Sequence, residues 1–323
     1  MKLVSILIPT YNRPEYFRQA LDSALAQDYS NIEILVGDDS PNDSVENVMK
    51  DYLESPQKFP IRYFHHEKPT GGKGYGNMTF LLNHANGEYV NFLFSDDLFE
   101  PKKISTMIKF FEKSKDGSKV AFVSSSRNLI DQDGKILSVI RDFSVQKEEV
   151  EVISGESFGR ECLKGCGNFA GEPTTNLIRR KDLWNPATNR FEVGRFFDFH
   201  SISMPDFGTW IGLAAMTDRI CVFLREPLSS FRRHEFQNTT DVSVRVGMAL
   251  DFATLISTAW INKKFLHNEQ ILDQSMRSWA DLMNEVIVTS QGKIPVKISN
   301  YILSLLECVE SKNYERFIKL SRP

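Results

Sequence analysis

Two adjacent carboxylates, Asp96 and Asp97, close a strongly apolar run that reads FLFSDDLFEP over residues 92–101. Like charges held this close disfavour each other's ionised form. A divalent cation between them offsets that cost. Hard carboxylate oxygens suit Mn²⁺ or Mg²⁺, and Mg²⁺ is commonly held by one or two carboxylates with substrate phosphates completing the shell. The competing reading is a solvated turn with a helix cap before Pro101. A second acidic pair, Asp38 and Asp39, sits in the turn-rich stretch GDDSPND. A third stretch, GGKGYG over residues 71–76, has the glycine content of a phosphate loop but neither the P-loop spacing nor the position of a dinucleotide fingerprint. It reads as a mobile loop beside a nucleotide, with Gly72 on the ligand side. Lys73 either reaches a phosphate or stands in solvent.

These loops need elements to carry them. Residues 4–8 (VSILI), 32–36 (IEILV), 61–64, 89–94 and 120–124 are short apolar, β-branched-rich runs, and so strands. Helical patterns lie between them at about 14–26, 43–54, 78–86 and 101–113, the first opened by Pro14. Alternation in units of roughly 30 residues predicts a mainly parallel sheet with helices on both faces. Ligands then bind beyond the carboxyl ends of the strands, where both acidic loops and the glycine loop converge. From about 125 to 242 the pattern loosens into short strands and loops around one clear helix at 205–216. From 243 onward it is mostly helical. Residues 237–241 (QNTTD) mark the expected boundary, giving domains 1–242 and 243–323.

The bulk numbers fit this α/β reading. The chain has 323 residues, 41% hydrophobic and 25% charged, with a formal net charge of −3. Nothing in that balance points to nucleic acid. The four cysteines include a C-x3-C pair, Cys162 and Cys166, with no second pair to complete a metal site, and so read as free thiols of a reducing cytoplasm. No transmembrane segment is expected. The best window, within 246–262, is interrupted by Asp251 and reads as a buried helix.

Four stretches stand in order in the first half: VSILIPTYNR from residue 4, LAQDYSNIEILVGDDS from residue 25, ANGEYV from residue 85 and FSDD from residue 94. Together they resemble family 2 glycosyltransferases of the GT-A fold. The resemblance implies an α/β GT-A domain, a mainly parallel mixed sheet flanked by helices with a helical C-terminal extension. It implies an inverting, metal-dependent sugar transfer from a nucleotide-diphosphate donor, a UDP-sugar above all, to an acceptor hydroxyl in glycan or polysaccharide biosynthesis. It further implies that Asp97 is the direct Mn²⁺ or Mg²⁺ ligand, that Asp96 faces the ribose or diphosphate, that Asp39 hydrogen-bonds the uracil or ribose, and that Pro9, Thr10 and Tyr11 line the base pocket. Phe94 stands where the family often has a first aspartate.

In the second half MPDFGTW, from residue 204, resembles the family segment whose aspartate is the catalytic base, which assigns that role to Asp206. Pro205 replaces the usual glutamate. Asp206 also stands where a helix cap would be. The stretch LSSFRRH, ending at His234, resembles a short basic segment in which a histidine completes the metal shell and an arginine contacts the diphosphate. His234 is therefore a candidate ligand and Arg232 or Arg233 a candidate phosphate contact. Glu172 and Thr174 are candidate sugar contacts. The acceptor is a glycan, lipid-linked or protein-linked. The C-terminal helices form core or a homo-oligomer interface, and peripheral contact with the inner face of a membrane is compatible with them. The alternative is a non-catalytic nucleotide-sugar or glycan binding module on a decayed transferase scaffold.

Overall fold

The computed structural model describes residues 1–71, 74–141, 148–234 and 241–322. In chain order the elements are β1 (Val4–Thr10), α1 (Pro14–Leu25), β2 (Ile32–Asp38), α2 (Ser44–Leu53), β3 (Ile61–His65), α3 (Tyr75–His84), β4 (Tyr89–Phe92), β5 (Leu98–Phe99) and α4 (Lys103–Glu112). There follow β6 (Val120–Ile130), β7 (Ile136–Ile140), β8 (Val150–Ser154), α5 (Gly155–Gly165), β9 (Leu177–Arg179), β10 (Trp184–Asn185), β11 (Arg190–Phe191), β12 (Arg195–Phe196) and β13 (Phe199–His200). The chain ends with α6 (Pro205–Ala214), β14 (Ile220–Arg232), α7 (Val242–Ile261), α8 (Glu269–Thr289), α9 (Val296–Glu310) and α10 (Tyr314–Ser321).

The chain divides into two compact units. The first, residues 1–153, 170–193 and 218–234, holds a mixed sheet of order β3-β2-β1-β4-β9-β6-β14-β5, with β7 added to β6 and β8 to β14. Strands β3, β2, β1 and β4 run parallel. Every residue of β2 is buried, as its continuous apolar run requires. Strand β9 turns the sheet by pairing antiparallel to both β4 and β6, while β14 returns parallel to β6. The core joins Ile6, Ile34, Phe17, Leu21, Met107 and Val222 under helices α1, α2 and α4.

The second unit takes in residues 154–169, 194–217 and 235–323. This division differs from a single cut at 242: α5 and α6 belong with the C-terminal helices. Their apolar faces explain it. Phe158, Cys162 and Leu163 of α5 and Phe207, Trp210 and Ile211 of α6 are buried, and Phe265 packs so closely on Gly159 that no side chain fits there. Among the described residues α7 is the one helix long and apolar enough to cross a membrane; most of it is buried. Trp279 of α8 donates its indole N–H to Ala249 O of α7 at 2.6 Å. Among the described residues the four cysteines form no disulfide.

Candidate active site

Strand β4 ends at Phe92, earlier than the apolar run does, and the chain turns so that Asp97 N–H bonds back to Phe94 O at 3.0 Å. Asp96 and Asp97 therefore occupy a tight turn between β4 and β5 rather than a helix cap. Their environments diverge. Asp97 is 1% exposed; its Oδ2 accepts from the Thr174 hydroxyl at 2.6 Å and its Oδ1 from the Arg232 amide at 3.1 Å. Burial, and then the neighbouring Asp96 charge, hold the Asp97 carboxyl well above the usual carboxylate range. Asp96 keeps a part-exposed carboxylate that meets Arg13 and, at 3.0 Å, His234 Nε2.

That last distance is informative. Two donors on one octahedral cation at about 2.1 Å stand roughly 3 Å apart. Asp96 Oδ2 and His234 Nε2 are hydrogen-bonded to each other here, and the same separation would suit neighbouring ligands of one cation. Among the described residues no three histidine, cysteine or acidic side chains converge as a complete metal cluster. Asp97, the ligand expected from sequence, has one hydrogen bond on each oxygen, which leaves lone pairs on both.

Arg232 also differs from expectation. Its side chain is fully buried and donates to Asp96 O, Asp131 O, Gln132 O and Gln19 Oε1 at 2.8–3.2 Å, with its guanidinium over the Tyr16 ring. It braces the acidic turn rather than facing a phosphate. Arg233 beside it is exposed. Glu172 pairs with Arg127, and Thr174 is spent on Asp97. The residues missed from sequence are those that hold the turn: Arg13, Tyr16, Gln19 and Lys103, whose Nζ donates to Thr175 O at 3.1 Å. Each lies on a helix or its edge, with no spacing that marks it.

The second acidic pair lies at the carboxyl end of β2, next to β1, so all these groups share one sheet edge. Asp38 is fully buried and serves the turn, accepting from Ser40 N at 2.9 Å and Tyr63 OH at 2.8 Å. Asp39 accepts from the Thr70 amide and hydroxyl, at 3.2 and 2.8 Å, and its own amide donates to Thr10 O at 3.0 Å. Pro9 is half-buried, Tyr11 is exposed, and Thr10 Oγ1 is buried with no hydrogen-bond partner among the described residues, as fits a wall that a ligand completes. Gly72 lies outside the described residues, as does Lys73.

Asp206 stands in the second unit, at the second position of α6 behind Pro205; Met204 is the cap. Its Oδ2 accepts from Asn168 Nδ2 at 3.1 Å. Burial pushes its carboxyl up to about 6 against the bonds from backbone amides and Asn168. A carboxylate titrating there is ionised at neutral pH and basic enough to take a proton.

A sequence model described as Glycosyl transferase family 2 matches residues 5–184, more than half of the chain. The chain belongs to glycosyl transferase family 2. The family match covers the sheet edge with both acidic pairs and stops before Asp206 and His234. Among its relatives is an uncharacterized glycosyltransferase of Rickettsia bellii (strain RML369-C), 36% identical over 59% of this chain and 26% of that protein. Another is UDP-Glc:alpha-D-GlcNAc-diphosphoundecaprenol beta-1,3-glucosyltransferase WfaP of Escherichia coli, 35% identical over 43% of this chain and 51% of that one. The chain thus spans a quarter to a half of the length of these family 2 relatives. In structure it is similar to S. aureus TarS 1-349, with a TM-score of 0.61 at 16% identity over 99% of this chain and 90% of that one; TarS has also been solved with UDP-GlcNAc. That likeness shows the GT-A fold.

Proposed function

We propose that this family 2 chain is an inverting, metal-dependent glycosyltransferase that moves a sugar from a nucleoside-diphosphate donor to the hydroxyl of a glycan carried on a lipid. The observation that carries the reading is the Asp96–His234 pair at ligand spacing, backed by buried Asp97, on the sheet edge that also carries Asp39 and Thr10. The name of WfaP supports a UDP-sugar donor and a diphospholipid-linked acceptor. When bound, the cation supplies positive charge to the leaving diphosphate. Asp96 and His234 would hold it, with Asp97 behind them. Asp39 and the Pro9–Thr10–Tyr11 backbone take the nucleoside, and Arg233 reaches the phosphates in place of Arg232.

Asp206 accepts the proton of the acceptor hydroxyl. The acceptor oxygen forms its bond to the anomeric carbon as the bond from that carbon to the diphosphate oxygen breaks. Asn168 Nδ2 and the backbone amides at the start of α6 hold the Asp206 carboxylate in place.

Calorimetric titration with UDP, GDP, dTDP and CDP, each with and without Mn²⁺, tests the site on the wild type, Asp96→Ala and Asp97→Ala. We expect one nucleotide to bind only with metal and both variants to lose that binding. If no nucleotide binds under any condition, the transferase reading fails. Asp206→Asn separates enzyme from binding module: an enzyme loses turnover and keeps donor binding, whereas a module loses nothing.

A further inference from the structure

Helix α7 carries a carboxylate that the mechanism above leaves unused. Asp251 is the one acidic residue of the helix and is half-buried. Its Oδ2 alone accepts three bonds, from Ser201 Oγ at 2.6 Å, Ser203 N at 3.0 Å and Met204 N at 3.2 Å. Ser201 Oγ in turn donates to Met204 O at 2.8 Å. The three residues so tied lie in the stretch 201–204 that leads into α6 and ends two positions before Asp206.

Three further contacts press α7, the Ser201–Met204 approach and α6 together. A Cβ on Gly247, one turn before Asp251 on α7, would fall 2.3 Å from Ser203 Oγ. A Cβ on Gly208 of α6 would fall 2.8 Å from Ser201 Cβ. Phe252 packs its ring on Phe207, with centroids 4.8 Å apart. A buried carboxylate is costly unless several donors meet it. Here the donors are those that fix where α6 begins.

We propose that Asp251 is a positioning residue for the transfer, holding the Ser201–Met204 approach so that α6 presents the Asp206 carboxylate at a fixed place. The inference rests on the reading of Asp206 as the base. It gives the C-terminal helices a part in the reaction. A base displaced by about 1 Å costs on the order of 10²-fold in rate, while the donor groups lie on other elements and keep their affinity.

The test compares Asp251→Ala, Asp251→Asn, Ser201→Ala and Asp206→Asn in the full chain, reading kcat for sugar transfer and Kd for the donor nucleotide with Mn²⁺. Circular dichroism checks folding first. Asp251→Ala is expected to lose about 10²-fold in kcat with donor Kd within about twofold of wild type. Asp251→Asn keeps an acceptor oxygen without the charge and falls between the two. Ser201→Ala, a milder change, shows the same split and decides the matter if Asp251→Ala does not fold. Wild-type kcat in a folded Asp251→Ala or in Ser201→Ala overturns the positioning role. If Asp206→Asn itself retains turnover, the base reading beneath it falls instead, so the two failures are distinguishable.

Discussion

Asp206 makes a prediction of opposite sign for activity and for stability. Its carboxyl titrates at about 6 in the fold, above its ordinary range. The folded state therefore holds this proton more tightly than the unfolded one, and this group lowers stability as pH rises from about 4 to about 6. Above that range the full cost of an ionised, half-buried carboxylate is present. Asp206→Asn should raise the unfolding free energy by about 1–2 kcal/mol at pH 7.5 and leave it unchanged at pH 4, read by denaturant titration at each pH. Turnover in the wild type should fall below about pH 6 as the base protonates. Equal stability of wild type and variant at pH 7.5 would show the carboxylate to be better solvated than the structure has it. Thr174 is the matching test on the acidic turn. Thr174→Val leaves Asp97 Oδ2 without its 2.6 Å donor, a loss of about 1–3 kcal/mol. We expect a lower melting temperature together with weaker Mn²⁺-dependent nucleotide binding; a change in neither would remove Thr174 from the site.

Among the elements, those of the first hundred residues were legible because apolar runs and turn chemistry agree there. The parallel strands β1 to β4 and helices α1 to α4 lie where periodicity places them, within a few residues. Beyond residue 124 the same signals mislead. Strand β6 runs on through Ser124, Ser125, Ser126, Arg127 and Asn128, all buried yet polar, and β14 continues through the register shift around Pro227. Polar strand halves that line a site carry no alternation, so they read as loop. Part of the family's text also proves structural: Asn86 N and Gly87 N cap the Glu33–Ser5 pair at 2.6 and 2.8 Å, which closes the sheet rather than touching a ligand. Helix α4 shows the reverse, a buried charge that no motif marks. Lys103 is fully buried and donates to the Thr175 carbonyl, and burial lowers its ammonium to about 7. The unfolded chain then binds the extra proton between pH 7 and 10, so this group's cost is greatest below pH 7 and fades toward pH 10. Lys103→Met should gain about 2–3 kcal/mol at pH 6 and little at pH 9.5. It should also slow transfer, because Thr175 and Thr174 lose their anchor. A variant less stable at pH 6 than the wild type would mean that the ammonium has a counter-charge.

For the molecule as a whole the question is whether the C-terminal helices are an appendage. A cut at 242 looks natural in sequence, since α7 follows a polar stretch and opens with a capping Asp241 whose side chain accepts from Ser243 N at 2.7 Å. The packing of the second unit says otherwise. Helix α5 buries Phe158, Cys162 and Leu163, and α6 buries Phe207, Trp210 and Ile211, within a unit otherwise built from α7 to α10. Burying one such side chain is worth about 1.5–3 kcal/mol, and six of them are comparable with the usual net stability of a domain, about 5–15 kcal/mol. Truncation after residue 242 should therefore not yield a smaller, active transferase. It should give a chain that elutes as soluble aggregate or remains insoluble, with a broadened, non-cooperative melt and no sugar transfer. Size-exclusion chromatography and circular dichroism of the 1–242 chain check this. A monodisperse, cooperatively melting fragment would show that α5 and α6 find other cover, and would return the C-terminal helices to the status of an attachment.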